Sequence, residues 1–198
     1  MRMKYFVVLS LVMMITSCSS TKVISSWKQE DLGKTYHHPM IIGVSDSQQT
    51  RQIYEKHFVA ELAKKNITAT PSYKLISSKQ KINRDTVIDA VKGTDIDAAL
   101  VTYLVSSETE VNYQESPLNI GYSDESDDMR VSATLVSTRG RTNDAEIITL
   151  KNDLYDAKSR SLVWSAQTRS VAPESIDDVV IGVTSLLIDE LISDGMLK

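Results

Sequence analysis

The chain holds one cysteine in 198 residues, Cys18, with only 7 glycines, 4 prolines, 2 phenylalanines and 3 histidines. A single thiol excludes an intrachain disulfide, a zinc ribbon and a thioredoxin-like pair together, so the fold must rest on its apolar core. The scarcity of glycine and proline argues against collagen-like or low-complexity organisation. After residue 15 no apolar run approaches the roughly 20 residues that a membrane-spanning helix needs. No Gly-x-Ser-x-Gly elbow, phosphate-loop glycine pattern or EF-hand spacing occurs. A formal net charge of −4 argues against a nucleic-acid partner held through its phosphates. What is present, 41% hydrophobic and 24% charged residues, is the composition of an ordinary folded domain.

The N-terminus is the most specific stretch. Arg2 and Lys4 form a basic start, residues 5–15 form an apolar segment, and Thr16 and Ser17 are small residues before Cys18. Ile15-Thr16-Ser17-Cys18 resembles the bacterial lipobox. That resemblance implies a signal peptide over residues 1–17 and a lipidated Cys18 at the mature N-terminus. It also implies several acyl chains of the palmitate kind, each buried CH₂ contributing about 0.8 kcal/mol to membrane anchoring. Ser19, rather than aspartate, after the cysteine implies sorting to the outer membrane. Removal of residues 1–17 leaves 181 residues, with 20 basic against 26 acidic groups and a formal net charge of −6. This size predicts one domain over residues 22–198 after a tether over residues 18–21.

Along the chain, residues 22–28 alternate as a strand, and the apolar run 40–44 reads as a central strand buried on both faces. Ser45 to Ser47 offer N-caps for a helix over 48–65, whose stripe of Tyr54, Phe58 and Leu62, with Ile53 beside it, faces the sheet. Asn66 ends that helix, and a strand over 69–75 follows, made irregular by Pro71. A short helix over 83–92, stopped by Gly93, precedes an apolar strand over 98–105. Residues 108–128 carry seven acids and no Lys or Arg, which predicts a loop or lid. Strands over 129–137, 147–156 and 162–171 then predict an antiparallel meander. Ser175 and Asp178 open a last helix whose apolar face is Ile176, Val179, Val180, Val183, Leu187 and Leu191. The predicted class is α/β (α+β): a mixed sheet in β-β-α-β-α-β order, an antiparallel β-meander and a C-terminal helix.

Several stretches carry a family resemblance. Lys22-Val23-Ile24-Ser25-Ser26-Trp27-Lys28 closely follows the cysteine, and Ile42-Gly43-Val44 precedes the helix with Arg51 and Glu55. Tyr155-Asp156-Ala157-Lys158 stands before Leu162-Val163-Trp164-Ser165. Together these resemble a family of small bacterial lipoproteins of unassigned function. The element order is also similar to the α/β module of the curli secretion lipoprotein, the penicillin-binding-protein activator lipoprotein and the N-terminal domain of the Tol translocation protein. The resemblance implies an envelope binding or scaffolding role and supplies no catalytic residues.

The remaining chemistry is sparse. His37, His38 and His57 fall short of a metal set, so no metal or cofactor is expected. Arg51 and Glu55 at i, i+4 predict a modest exposed ion pair. Trp27, Trp164 and Tyr155 read first as core anchors. Ser45, Asp46 and Ser47, at a strand-to-helix junction, are a candidate ligand or partner surface. The functional expectation is a nonenzymatic envelope lipoprotein, anchored in the membrane through Cys18 and facing the periplasm, with an envelope protein as partner. The alternative is a periplasmic small-ligand binder or weak hydrolase using a pocket near Ser45 to Ser47. Mass spectrometry of the protein from its native membrane is expected to show an N-terminal Cys18 carrying acyl mass; an N-terminus retaining Met1 would defeat the anchor.

Overall fold

The computed structural model describes residues 21–111, 144–171, 173 and 175–198. Ile15, Thr16, Ser17 and Cys18 lie outside the described residues, as do the expected strand at 129–137 and the acidic segment from residue 112 onward. The elements are β1 (Thr21–Lys28), β2 (Pro39–Gly43), α1 (Gln48–Lys64), β3 (Thr70–Pro71), α2 (Arg84–Val91), β4 (Ala98–Val111), β5 (Asp144–Asp156), β6 (Leu162–Val171) and α3 (Ile176–Ser193). They build one six-stranded sheet in the order β1-β6-β5-β4-β2-β3. β2 runs parallel to β3 and β4, whereas β4, β5, β6 and β1 pair antiparallel in succession. The mixed α/β architecture expected from the hydrophobic pattern is therefore present, including the C-terminal helix.

Two segments depart from their patterns. Only Thr70 and Pro71 of residues 69–75 pair as strand, and the chain then tightens into a 3₁₀ turn, Ser72–Lys74. Pro71 has no N–H to give a ladder, so the strand stops there. β4 runs on to Val111, past a register shift between Leu104 and Ser106, so residues 108–111 are strand rather than loop. Among the described residues β5 pairs with β4 on one side and with β6 on the other.

The helices start and stop where local chemistry dictates. The Ser47 hydroxyl accepts from Thr50 N at 3.2 Å, and Asn66, at φ +63°, ends the run after α1. Asn83 and Thr86 cap α2 reciprocally, and the Ser175 hydroxyl accepts from Asp178 N to open α3. α1 and α3 cover one face of the sheet. Tyr54, Phe58 and Leu62 meet Val179, Val180, Val183, Leu187, Ile188 and Leu191 over Leu100, Leu154 and Trp164. Trp164 is fully buried and donates from Nε1 to Asp194 Oδ2 at 2.8 Å. Ile53 and Ile176, by contrast, point outward with 39% and 40% exposure, each just off the buried stripe of its helix. Beneath α1 a polar chain crosses the core: Tyr54 and Thr102 hydroxyls at 2.7 Å, then Thr102 Oγ1 donating to Asn152 Oδ1 at 2.9 Å. Being satisfied only in this register, it pins β4 against β5.

Arg51 and Glu55 are not an exposed pair. Arg51 is 5% and Glu55 0% exposed. Glu55 Oε1 accepts from Gly43 N at 3.0 Å, Arg51 Nε at 2.9 Å and Ser72 Oγ at 2.5 Å, while Oε2 accepts from Tyr73 N at 2.9 Å. Arg51 Nη2 also donates to Ser72 Oγ at 2.7 Å. One carboxylate thus joins the end of β2, the first turns of α1 and the 3₁₀ turn. A close approach supports the same junction: a Cβ added at Gly43 would stand 2.9 Å from Tyr54 Cδ1. Removing one partner leaves a buried charge unpaired, so Glu55→Ala is expected to cost about 3–5 kcal/mol in denaturant unfolding. The paired apolar replacement Arg51→Met with Glu55→Leu should recover part of that loss, since it leaves no orphan charge.

Candidate functional site

The second face of the sheet carries only α2 among the described helices. Its apolar side, Val87, Ala90 and Val91, packs on Met40, Ile42, Ala99 and Val101, yet no residue of α2 is fully buried. The helix therefore rides on β2 and β4 without closing the gap completely. Two adjoining cavities of about 450 and 580 Å³ remain beside it, sharing Ile88, Val91, Ala157 and Arg160. Both volumes fall in the range of small-molecule sites. The smaller is lined by Val44, Val87, Ala99, Val101 and Tyr155; the larger opens toward Lys34, Lys92 and Lys158.

The turn after β5 closes the end of this groove, and Asp156 shapes it. Asp156 Oδ1 accepts from Lys158 N at 2.8 Å, Ser159 N at 2.7 Å and Ser159 Oγ at 3.1 Å. Oδ2 accepts from Tyr36 OH at 3.0 Å and pairs with Lys34 Nζ. Such side-chain-to-backbone bonds are the Asx-turn device. They leave Arg160 in the left-handed region at φ +61°, a conformation that costs a non-glycine residue energy and is held here by its surroundings. Burial works against the Asp156 charge, but Lys34, the Ser159 N–H and Tyr36 outweigh it and hold the carboxyl well below the usual range. Burial, and then Asp156, push the Tyr36 phenol up.

Beyond the groove the same face continues over β5, β6 and β1, and no helix among the described residues packs on it there. A second carboxylate organises this part. Asp153 is 2% exposed and accepts from Ser165 Oγ at 2.6 Å, Tyr103 OH at 3.3 Å and Tyr155 OH at 3.5 Å, with Lys151 Nζ at 3.4 Å. Tyr103 first, and Asp153 next, hold the Lys151 ammonium above its ordinary value, while burial raises Tyr155. Ser165 pairs with Trp27 on β1, so the Trp27 ring lies on this face, 50% exposed. It is not the core anchor that its size suggests. A row from Val101 through Asp153 and Ser165 to Trp27 thus links the groove to the sheet edge.

The other sequence candidates lie elsewhere. Ser45, Asp46 and Ser47 are exposed at the start of α1, with Ser45 Oγ accepting from Ser47 N at 3.2 Å. The smaller cavity reaches Val44 but is not lined by these three residues. His38 bridges Asp95 and Thr70, His37 Nδ1 lies 3.1 Å from Lys198 O, and His57 stands on α1, so the imidazoles do not converge. Among the described residues no three His, Cys, Asp or Glu side chains form a metal-binding group. Sequence reasoning passes over Asp153, Arg160 and α2 as a site. The signal within reach is Tyr155-Asp156-Ala157-Lys158, quoted above for its resemblance rather than for its turn chemistry.

No protein-family model and no curated protein matches the chain. Similar solved structures include two of the PelC dodecamer from Paraburkholderia phytofirmans. One, of a single-substitution variant, is 9% identical with a TM-score of 0.45, covering 85% of this chain and 95% of that one. The other is 11% identical with a TM-score of 0.46, covering 86% and 94%. The lipoprotein GNA1162 from Neisseria meningitidis is 11% identical with a TM-score of 0.42, covering 79% and 98%.

Asp156 makes the site acid-sensitive. Because its folded-state pKa lies below the ordinary 3.8, its contribution to stability is complete above that value and is lost as pH falls further. Melting temperature is expected to drop on acidification below about pH 4, and the Asp156→Asn protein, less stable at pH 7, should lose part of that dependence.

Proposed function

We propose that the chain is a nonenzymatic envelope lipoprotein, anchored in the outer membrane by a lipidated Cys18, whose α/β body is a periplasm-facing binding or scaffolding domain. The observation that carries this reading is the open sheet face with Trp27 half exposed on the edge strand. A tryptophan left half in water costs solvation in a lone domain and is a characteristic anchor of protein interfaces. The Asp153 network holds Tyr103 and Tyr155 in place on the same face, so little side-chain entropy remains to be lost when a partner arrives.

Placement supports the same reading. β1 begins at Thr21, three residues after Cys18, a reach of about 10 Å when extended. The start of β1 pairs with Ser170, and its end, at Lys28, pairs with Trp164, near the turn that Asp156 shapes. Eight residues of strand span roughly 26 Å. An anchor at Cys18 therefore tethers the end of the sheet holding Thr21 and leaves the groove end farther along the chain's reach. The open face stays accessible to a second envelope protein. The alternative small-ligand reading draws on the α2 groove rather than on Ser45 to Ser47.

A photo-crosslinking residue introduced in cells at Ser25 or Gln167, on the open face, is expected to give discrete adducts with an envelope protein. The same residue at Ile53, on the helical face, should give none. Trp27→Ala should weaken the Gln167 adduct at least fivefold while the melting temperature stays close to that of the parent, and Cys18→Ala should abolish it. Adducts of equal yield from both faces would overturn the assignment.

A further inference from the structure

We propose that the groove between α2 and the sheet binds a single-chain amphiphile with an anionic head, its acyl tail along Val87, Val91, Ala99 and Val101 and its carboxylate or phosphate against Arg160, Lys158 and Lys92. The site adjoins the open face assigned to a partner, with Tyr155 at the border of the two, and does not depend on the lipid anchor.

Charge is the first argument. The whole chain has more acids than bases, 26 against 22. The lining of the two cavities reverses that balance, with five cations (Lys34, Arg84, Lys92, Lys158 and Arg160) against three acids. Two of those acids are already engaged: Asp156 by Lys34 and the turn it caps, and Asp97 by the His37 and His38 N–H groups at 2.7 and 3.0 Å. Asp89 is the third, exposed on α2. Lys92, Lys158 and Arg160 have no side-chain partner among the described residues, so an arriving anion displaces no ion pair among them. Lys92 follows the end of α2, and Lys158 and Arg160 stand on the Asp156 turn, which places all three at one end of the groove. Arg160 is held there by a strained backbone that Asp156 maintains. A guanidinium positioned in this way can take a carboxylate or phosphate with two parallel hydrogen bonds.

The floor is the second argument, and it favours an acyl chain over a peptide. β4 is paired on both sides, by β2 and by β5, so the floor under α2 offers no free backbone donors or acceptors. A peptide laid there would bury its own N–H and C=O groups without partners, at a cost an alkyl chain does not carry. The walls are aliphatic, Val87, Ile88 and Val91 above Ala99 and Val101, and none of the α2 side chains is fully buried, so apolar surface is still in water. An alkyl tail recovers that surface at about 25 cal/mol per Å² buried. Tyr155 lines the same cavity as Arg160.

The full chain, purified from membranes into lipid nanodiscs, can be labelled with a photoreactive sixteen-carbon fatty acid, the matching lysophosphatidate, and the matching neutral alcohol. Labelled peptides are then identified by mass spectrometry. Adducts from the anionic probes are expected on residues 84–92 and 99–101, with the alcohol at least tenfold weaker there. Preference between the acid and the lysophosphatidate identifies a free fatty acid or a phospholipid-derived head as the natural source. The triple variant Lys92→Gln, Lys158→Gln, Arg160→Gln should lose labelling at least fivefold. Val101→Phe, which fills the tail end and leaves every charge in place, should do the same while the protein still unfolds in one cooperative transition. Equal labelling by acid and alcohol, adducts confined to the stretch before Thr21, or full labelling of both variants would overturn the proposal.

Discussion

The Glu55 carboxylate is the junction on which the first half of the domain depends. Four donors from three elements converge on its two oxygens: the Gly43 N–H at the end of β2, Arg51 one turn earlier on α1, and Ser72 and the Tyr73 N–H on the 3₁₀ turn. An ionised carboxylate in an apolar layer is tolerable only when it is surrounded in this way. That requirement makes the arrangement all or nothing. α1 cannot rotate or slide without stranding a charge, so the helix is locked over β2, and β3 is fixed beside it. The parallel half of the sheet owes its geometry to this point as much as to the apolar contacts around Phe58 and Leu62.

The antiparallel half is organised differently, and the difference explains where binding surfaces arise. α3 and α1 close one face with aliphatic side chains, and Trp164 is drawn under them with its indole N–H satisfied by Asp194. The other face has, among the described residues, one short helix for six strands. Two acids organise this face: Asp153 gathers tyrosines, a lysine and a serine into a polar patch, and Asp156 folds the turn that closes the groove end. Both are nearly inaccessible and both are satisfied by groups of their own surroundings. Each uses its hydrogen-bonding capacity to position neighbours, leaving aromatic rings and cations as what the surface presents to other molecules.

Much of the fold can be read from residue patterns. Continuous apolar runs mark β2 and the first part of β4, and Ser47, Asn66 and Ser175 mark helix ends, because capping and left-handed backbone are local properties of one or two residues. The positions that depart from their pattern share a cause. Charge alone places Arg51 and Glu55 outside, although they lie at i, i+4 on the same side as Phe58 and Leu62, and periodicity already turns them inward. Size alone places Trp27 inside, although its strand has an edge position and pairs only with β6. Acidity alone makes a loop of residues 108–111, although a strand continues wherever a neighbour offers hydrogen bonds, here β5 out to Asp144.

The amino-acid sequence by itself determined most of the elements, their order, the helix caps, the reliance on an apolar core without disulfides, and the lipobox-like stretch ending in Cys18, for these depend on composition and on neighbours a few residues apart. Tertiary structure alone decided which side of the sheet is covered, which charges are buried, and that Tyr155, Arg160 and α2 share one groove. Those outcomes depend on strands and turns distant in sequence being brought together, Lys34 and Tyr36 against Asp156, Gly43 and Ser72 against Glu55, and no local pattern encodes such distances.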